Sequence, residues 1–218
     1  MPNMPRATGH LLTSLDMAVG KPAPYPHWLL HNVMPDEMLD RIIALPLSPP
    51  VIDDTLGRRE THNASRLFFG ASQQANFSVC AGLAKVLQSE AYIDRLQSLT
   101  GASLRGSFLR IEYCLDINGF WLESHTDIGA KLFTMLIYLN DPPAGEEWGT
   151  DIYETPAKRL GPAPGGRNRG LIFVPGANTW HGFAKRPITG TRRSLIVNYV
   201  TPEWRTRHEL AFPDKPVG

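Results

Sequence analysis

The spacing of apolar residues changes once along the chain, near Gly101. Upstream of it, wherever a period is visible, the period is helical. Met38, Leu39, Ile42 and Ile43 form one stripe behind Pro35, Asp36 and Glu37, a helix start with acids in its first turn, and Pro46 ends it. Phe77, Cys80, Leu83, Val86 and Leu87 recur at three and four, and Tyr92, Ile93, Leu96 and Leu99 continue them. This spacing predicts helix from Ser72 to Leu99 with Gly101 as its stop. "PYPHWLLHNVM" reads as a short strand. Residues 1–24, rich in Pro and Gly without a sustained period, read as an extended arm. "VIDDTLGRRETHNASRLFFG" is polar in its middle and apolar at its end, which predicts a loop and then a short strand.

Downstream of Gly101 the apolar runs are short. "GSFLRIEYCLDI", "KLFTMLIYLN", "TDIYE", "RGLIFVPG", "TWHGF" and "TRRSLIVNYV" follow one another with Gly, Pro and Asn between them and no helical stretch. Short strands punctuated this way predict an antiparallel barrel or jelly roll. The expected class is α+β with a mainly β core. One domain covers residues 1–218: an arm and helices to about 104, the β core over about 105–203, and a tail over 204–218. The segment from Thr155 to Arg169, "TPAKRLGPAPGGRNR", holds three Pro, three Gly, four basic residues and no acid, the composition of a mobile surface loop, read as a connector in preference to a lid.

Composition narrows the function classes. Hydrophobic residues make up 42% of the 218, charged residues 20%, and the formal net charge is +1, so no global field favours nucleic acid or a membrane surface. No segment has the length of a spanning helix, and the N-terminus lacks the apolar run of a signal peptide. Cys80 and Cys114 lie far apart and give neither a zinc spacing nor a disulfide framework. Two buried thiols in a reducing compartment, the cytoplasm, are the expectation.

Chemistry concentrates at "WLESHTDIGAKLFTMLIYLND". On a strand, residues i and i+2 share a face, so His125 and Asp127 aim at one point. An imidazole and a carboxylate suit a borderline divalent metal, and a set of two histidines and one carboxylate leaves open positions for reactants, as in non-haem iron(II) oxygenases. Alone, the pair reads equally well as a salt link at a strand end. A third ligand is offered by His181, presented in "TWHGF" after the apolar strand Leu171–Val174 and the Pro175-Gly176 turn. The other histidines fit worse: His10 lies in the arm, His27 and His31 flank an early strand, His62 sits in a polar loop, and His208 in a charged C-terminal stretch. Eleven residues past His181, alternation in "TRRSLIVNYV" puts Arg192, Ser194, Ile196 and Asn198 on one face. Arg192 offers a bidentate fork and Ser194 a hydroxyl to one carboxylate. The plain alternative is a polar strand edge.

Taken together, His125-Thr126-Asp127, His181 and Arg192-Arg193-Ser194 resemble the signature of the Fe(II)- and 2-oxoglutarate-dependent oxygenases, prolyl-hydroxylase-like branch, over roughly residues 105–201. The resemblance implies a double-stranded β-helix with a metal between its two sheets. His125, Asp127 and His181 would bind Fe(II). Arg192, assisted by Ser194, would hold the distal carboxylate of 2-oxoglutarate, and that carboxylate would balance the buried guanidinium. Tyr113 matches a strand tyrosine that contacts the same carboxylate in such relatives. The implied reaction uses O2, releases succinate and CO2, and hydroxylates a C–H bond of a small-molecule substrate. Two alternatives stand beside it: hydroxylation of prolyl or aspartyl side chains in proteins, and a jelly-roll module that binds a metal or acid without turnover. "YLNDPPAGEEWGTDIYE" lacks the Gly-Gly-Glu turn of many relatives, and Asp127 stands where halogenating relatives carry Gly or Ala. Trp121, Trp148, Trp180, Phe120 and Phe133 are the candidate pocket aromatics, and Arg58, Arg59 and Arg66 are the cations available to an anionic substrate.

Overall fold

Alternation sorts the long strands of this chain into two faces, and the two faces have different tasks. The computed structural model describes residues 4–49, 51, 55–58 and 66–218. In chain order its elements are α1 (Met4–Asp16), β1 (Val19–Lys21), β2 (His27–His31), α2 (Asp36–Ile43), β3 (Leu67–Phe68), α3 (Ala71–Asn76), α4 (Ser78–Leu87) and α5 (Glu90–Thr100). Then come β4 (Phe108–Asp116), β5 (Leu122–His125), β6 (Lys131–Tyr138), β7 (Asp151–Thr155), β8 (Lys158–Pro162), β9 (Arg169–Phe173), β10 (His181–Phe183) and β11 (Arg192–Val200).

The strands form two antiparallel sheets. The larger runs β1-β2-β9-β6-β11-β4-β3 and the smaller β5-β10-β7-β8. On the larger sheet, Ile111, Tyr113, Phe133, Met135, Leu195, Val197 and Tyr199 point to one side and join the helices in a single buried cluster with Leu83, Leu87, Ile93 and Leu96. Each such side chain, fully withdrawn from water, contributes about 1.5–3 kcal/mol. The opposite face carries Leu136, Tyr138, Leu171 and Phe173, which meet Ile152 of β7 between the sheets. This is the expected jelly roll with a helical layer. No helix among the described residues is long and apolar enough to cross a membrane.

Four elements differ from the sequence reading. The presumed arm contains α1, whose Ala7, Leu11 and Leu15 are buried at i, i+4, i+8 spacing. Pro5 falls in the first turn, where its missing N–H costs nothing, and Gly9 in mid-helix is outweighed by that burial. The predicted helix from Ser72 to Leu99 is three helices. Phe77 adopts an extended conformation between α3 and α4, and Ser89 does so ahead of α5, so a continuous apolar period bridges two breaks in the backbone. Gly101 stops α5 as expected, at φ 74° in the left-handed region. The stretch expected to be a connector contains β8, which pairs with β7 as the outer strand of the smaller sheet. Its Lys, Arg and Pro are the composition of an edge strand, which has no buried face to impose alternation. The three-residue β1 adds an outer strand to the larger sheet within the same presumed arm.

Candidate metal and cosubstrate site

β5 and β10 pair so that His125 and His181 lie directly opposite each other. Their rings stand 4.4 Å apart, centroid to centroid. Asp127 follows two residues beyond the end of β5. One ligand atom from each of His125, Asp127 and His181 lies within 4.8 Å of the others, and among the described residues this is the grouping able to hold a metal ion.

Local hydrogen bonds prepare each member. The Nδ1 of His125 sits 2.9 Å from the Glu123 carbonyl, and the Nδ1 of His181 2.8 Å from the Thr179 carbonyl. A carbonyl only accepts, so both rings carry their proton on Nδ1 and turn the Nε2 lone pair outward, the tautomer a metal requires. Burial would raise the Asp127 carboxyl. The ammonium of Lys131 and the His181 ring, with hydrogen bonds from Lys131 and Thr134, overcome this and hold it at about 2. The Lys131 Nζ donates to Asp127 Oδ1 at 2.5 Å and the Thr134 hydroxyl to Oδ2 at 2.7 Å. Burial drives the His181 imidazole down to about 4, against the pull of Asp127. Two histidines and one carboxylate are a donor set that fits a divalent transition metal.

The His181 environment has a consequence for the metal-free protein. Its folded value lies below the unfolded one near 6.5, so in that interval the unfolded chain takes up a proton that the folded chain refuses. Folding stability therefore falls as pH drops from about 6.5 towards 4, by an amount on the order of a few kcal/mol. Asp127 stays ionised in the folded protein throughout that window and adds to the fall only near its lower end, where the unfolded carboxyl begins to take up a proton. His181→Gln is expected to flatten this part of the pH–stability curve, read from denaturant midpoints; an unaltered slope would assign the titration to other groups.

The triad opens onto a cavity of about 600 Å³. Arg192 lines it, 3% exposed, from the first position of β11. Its Nε donates to the Trp148 carbonyl at 2.8 Å, its Nη1 to Asp116 at 2.5 Å, and it lies over the Phe183 ring at 4.4 Å. The expectation that a cosubstrate carboxylate balances this charge is thus corrected: Asp116, directly across the ladder on β4, already does so. These bonds use two of the five guanidinium N–H groups. Ser194 shares the Arg192 face, and its Oγ is buried with no hydrogen-bond partner. An always-charged fork beside a buried, unsatisfied hydroxyl fits the carboxylate of an organic acid.

Tyr113 is the sequence candidate that the fold does not bring there. It pairs with Leu195, whose side chain points to the helical layer, and its ring packs on Phe69 at 6.2 Å. Strand alternation forbids it from sharing the cavity with Arg192.

None of the five candidate aromatics lines the cavity; Phe183 and Trp204 do. Phe133 faces the helices, while Phe120 and Trp148 pack with Phe183 and Ile188 beside Arg192. Trp121 covers Gly57 at the rim. Gly57 has φ +71°, and a Cβ there would stand 2.6 Å from the indole, so the turn demands glycine twice over. Arg58 and Arg66 both line the cavity. Arg58 is largely exposed beside Glu123, whereas Arg66 grips Glu112 with two bonds. Arg59 and His62 lie outside the described residues.

Not among the residues expected from the sequence are Lys131, Thr134, Asp116 and the cavity-lining Glu112 and Glu209 with the buried Arg110 that pairs with both. A signal was present. On the wholly buried β4, Arg110, Glu112 and Asp116 recur at period two, on the face turned from the helical layer.

No protein-family model matches the sequence, and no curated protein matches it. Solved structures do. The chain is similar to a prolyl-4-hydroxylase of Pseudomonas putida (TM-score 0.57, 13% identity, 88% of this chain and 94% of that one). It is similar to a 2OG-Fe(II) oxygenase family oxidoreductase from Burkholderia pseudomallei (TM-score 0.54, 14% identity, 94% and 92%). It is also similar to a prolyl hydroxylase from Trichoplax adhaerens, solved with a peptide fragment of the hypoxia inducible factor oxygen degradation domain (TM-score 0.53, 13% identity, 88% of each chain). At these identities the likeness concerns architecture, and the architecture is plain: this chain has the jelly-roll fold of the prolyl-hydroxylase-like 2OG-Fe(II) oxygenases.

Proposed function

We propose that this protein is an Fe(II)- and 2-oxoglutarate-dependent dioxygenase, one catalytic unit across residues 1–218, that hydroxylates a C–H bond of a small organic substrate. The observation that carries the reading is the convergence of His125, Asp127 and His181 on a cavity whose wall includes Arg192. His125, Asp127 and His181 would hold the iron, and Arg192 with Ser194 the distal carboxylate of the cosubstrate. Iron and 2-oxoglutarate together supply the oxidising chemistry, with O2 consumed and succinate and CO2 released.

The chain's own residues do the rest. The carbonyls of Glu123 and Thr179 fix the imidazole rings. Lys131 and Thr134 each donate to one oxygen of the Asp127 carboxylate and orient it, leaving lone pairs for the metal. Phe183 and Leu136 line the cavity with apolar surface that limits water around the reacting groups. Asp116 and the Trp148 carbonyl fix the Arg192 fork before any ligand arrives, so little ordering is left for the binding step.

A second substrate class, prolyl side chains of peptides, is favoured by the similarity to prolyl hydroxylases, one of them solved with a peptide. Anaerobic addition of Fe(II) and 2-oxoglutarate to the purified protein is expected to give a visible charge-transfer band that needs both. Absence of the band from folded protein would refute the oxygenase reading and leave a binding module. Succinate release, screened against small metabolites and proline-containing peptides in parallel, then assigns the substrate class.

A further inference from the structure

A single file of hydrogen bonds leaves the Asp127 carboxylate and crosses the interior of the larger sheet. Thr134 Oγ1 donates to Asp127 Oδ2 at 2.7 Å, Asn198 Nδ2 to Thr134 Oγ1 at 3.0 Å, and Arg110 Nη1 to Asn198 Oδ1 at 3.0 Å. The remaining guanidinium edges of Arg110 are taken by Glu112 at 2.9 Å and Glu209 at 2.6 Å. Thr134, Asn198, Arg110 and Glu112 are all at most 2% exposed. Cross-strand register makes the file possible, because Thr134, Asn198 and Arg110 occupy one rung on β6, β11 and β4.

Chemistry fixes the direction of every bond. Arginine has no acceptor, so Asn198 must turn its carbonyl oxygen to Arg110 and its amide N–H to Thr134. That N–H occupies an acceptor position of the hydroxyl, and the one proton of Thr134 is left to point at Asp127. A guanidinium stands at one end and a carboxylate at the other, with all dipoles aligned, the arrangement in which successive bonds strengthen each other. Swapping the amide atoms of Asn198 would set two donors face to face at Arg110.

We propose that Thr134 and Asn198 are positioning residues for Asp127, anchored on Arg110, and that they set the affinity of the triad for its metal. The inference rests on the metal reading of that triad. Glu112 and Glu209, which grip Arg110, line the same cavity, and Arg110 lies buried behind them.

Co(II) is the probe, added to the full chain without 2-oxoglutarate and followed by its visible d–d absorption. Thr134→Val keeps shape and β-branching but deletes the hydroxyl, and is expected to weaken Co(II) binding about 10–100-fold, the range for partners of metal ligands. Thr134→Ser restores the hydroxyl and is expected to bind within about threefold of wild type. Asn198→Asp still accepts from Arg110 but no longer donates to Thr134, and is expected to fall with the valine variant. Thermal melts run beside each titration separate folding losses from binding losses. Undiminished Co(II) affinity in Thr134→Val overturns the proposal, as does a serine variant as impaired as the valine. Failure of the wild type to take up Co(II) would remove the metal reading itself, and the relay with it, which is a different result.

Discussion

Asp127→Ala is expected to lower Fe(II) or Co(II) affinity by more than about 100-fold, beyond the range in which outer partners of metal ligands act. The carboxylate is the only anionic member of the triad, and it is held ionised at about 2 despite a side chain only 3% exposed. Alanine removes the donor and the charge together. The fold is expected to survive, because Lys131, one-fifth exposed, keeps access to water when its partner is lost. Metal content after dialysis against a buffered metal solution, with a thermal melt, is the measurement. Wild-type metal content in a folded Asp127→Ala protein would show that the triad is not a metal site.

Arg192→Ala is expected to damage both folding and cosubstrate binding, and the two losses are separable. The guanidinium and Asp116 are both almost fully buried. Removing one partner of a buried ion pair typically costs about 3–5 kcal/mol, because the other charge stays behind in a medium that solvates it poorly. Deleting both charges, Arg192→Ala with Asp116→Ala, is expected to recover part of that loss. Under the proposed function it restores no affinity for 2-oxoglutarate, since the fork is still missing. Urea midpoints and the anaerobic chelate band, measured on the two single variants and the double, give the cycle. A double variant that regains the band would show that Arg192 does not hold the cosubstrate. A stability loss well under 1 kcal/mol in Arg192→Ala would show that Asp116 finds other compensation.

The strands of the β core were readable because each carries an apolar run between breakers. "FLRIEYCLD", "KLFTMLIY", "RGLIF" and "RRSLIVNYV" became β4, β6, β9 and β11. The helical half was less legible. The α1 pattern of Ala7, Leu11 and Leu15 is sparse and interrupted by Gly9, and becomes visible only when α4 and α5 supply the surface that buries it. In β8 no sequence period exists to be read, since an edge strand gains its pairing from the neighbouring backbone.

The sequence by itself determined which residue types are present for the chemistry: two histidines and an aspartate at strand ends, and an arginine and a serine on one face of a strand. The shared face of Arg192 and Ser194 follows from local spacing, because period two is a property of the extended backbone, whereas Asp127 lies beyond the end of β5 and reaches His125 through the irregular segment that follows the strand. Tertiary structure decided who meets whom. It set His125 against His181 through the β5–β10 register, sent Tyr113 to the helical side, and gave Arg192 an internal counter-ion in Asp116. It also aligned Thr134, Asn198 and Arg110 on one rung. Each of these depends on register between strands distant in the chain, and register comes from closing the sheets over a common core, which no local spacing encodes.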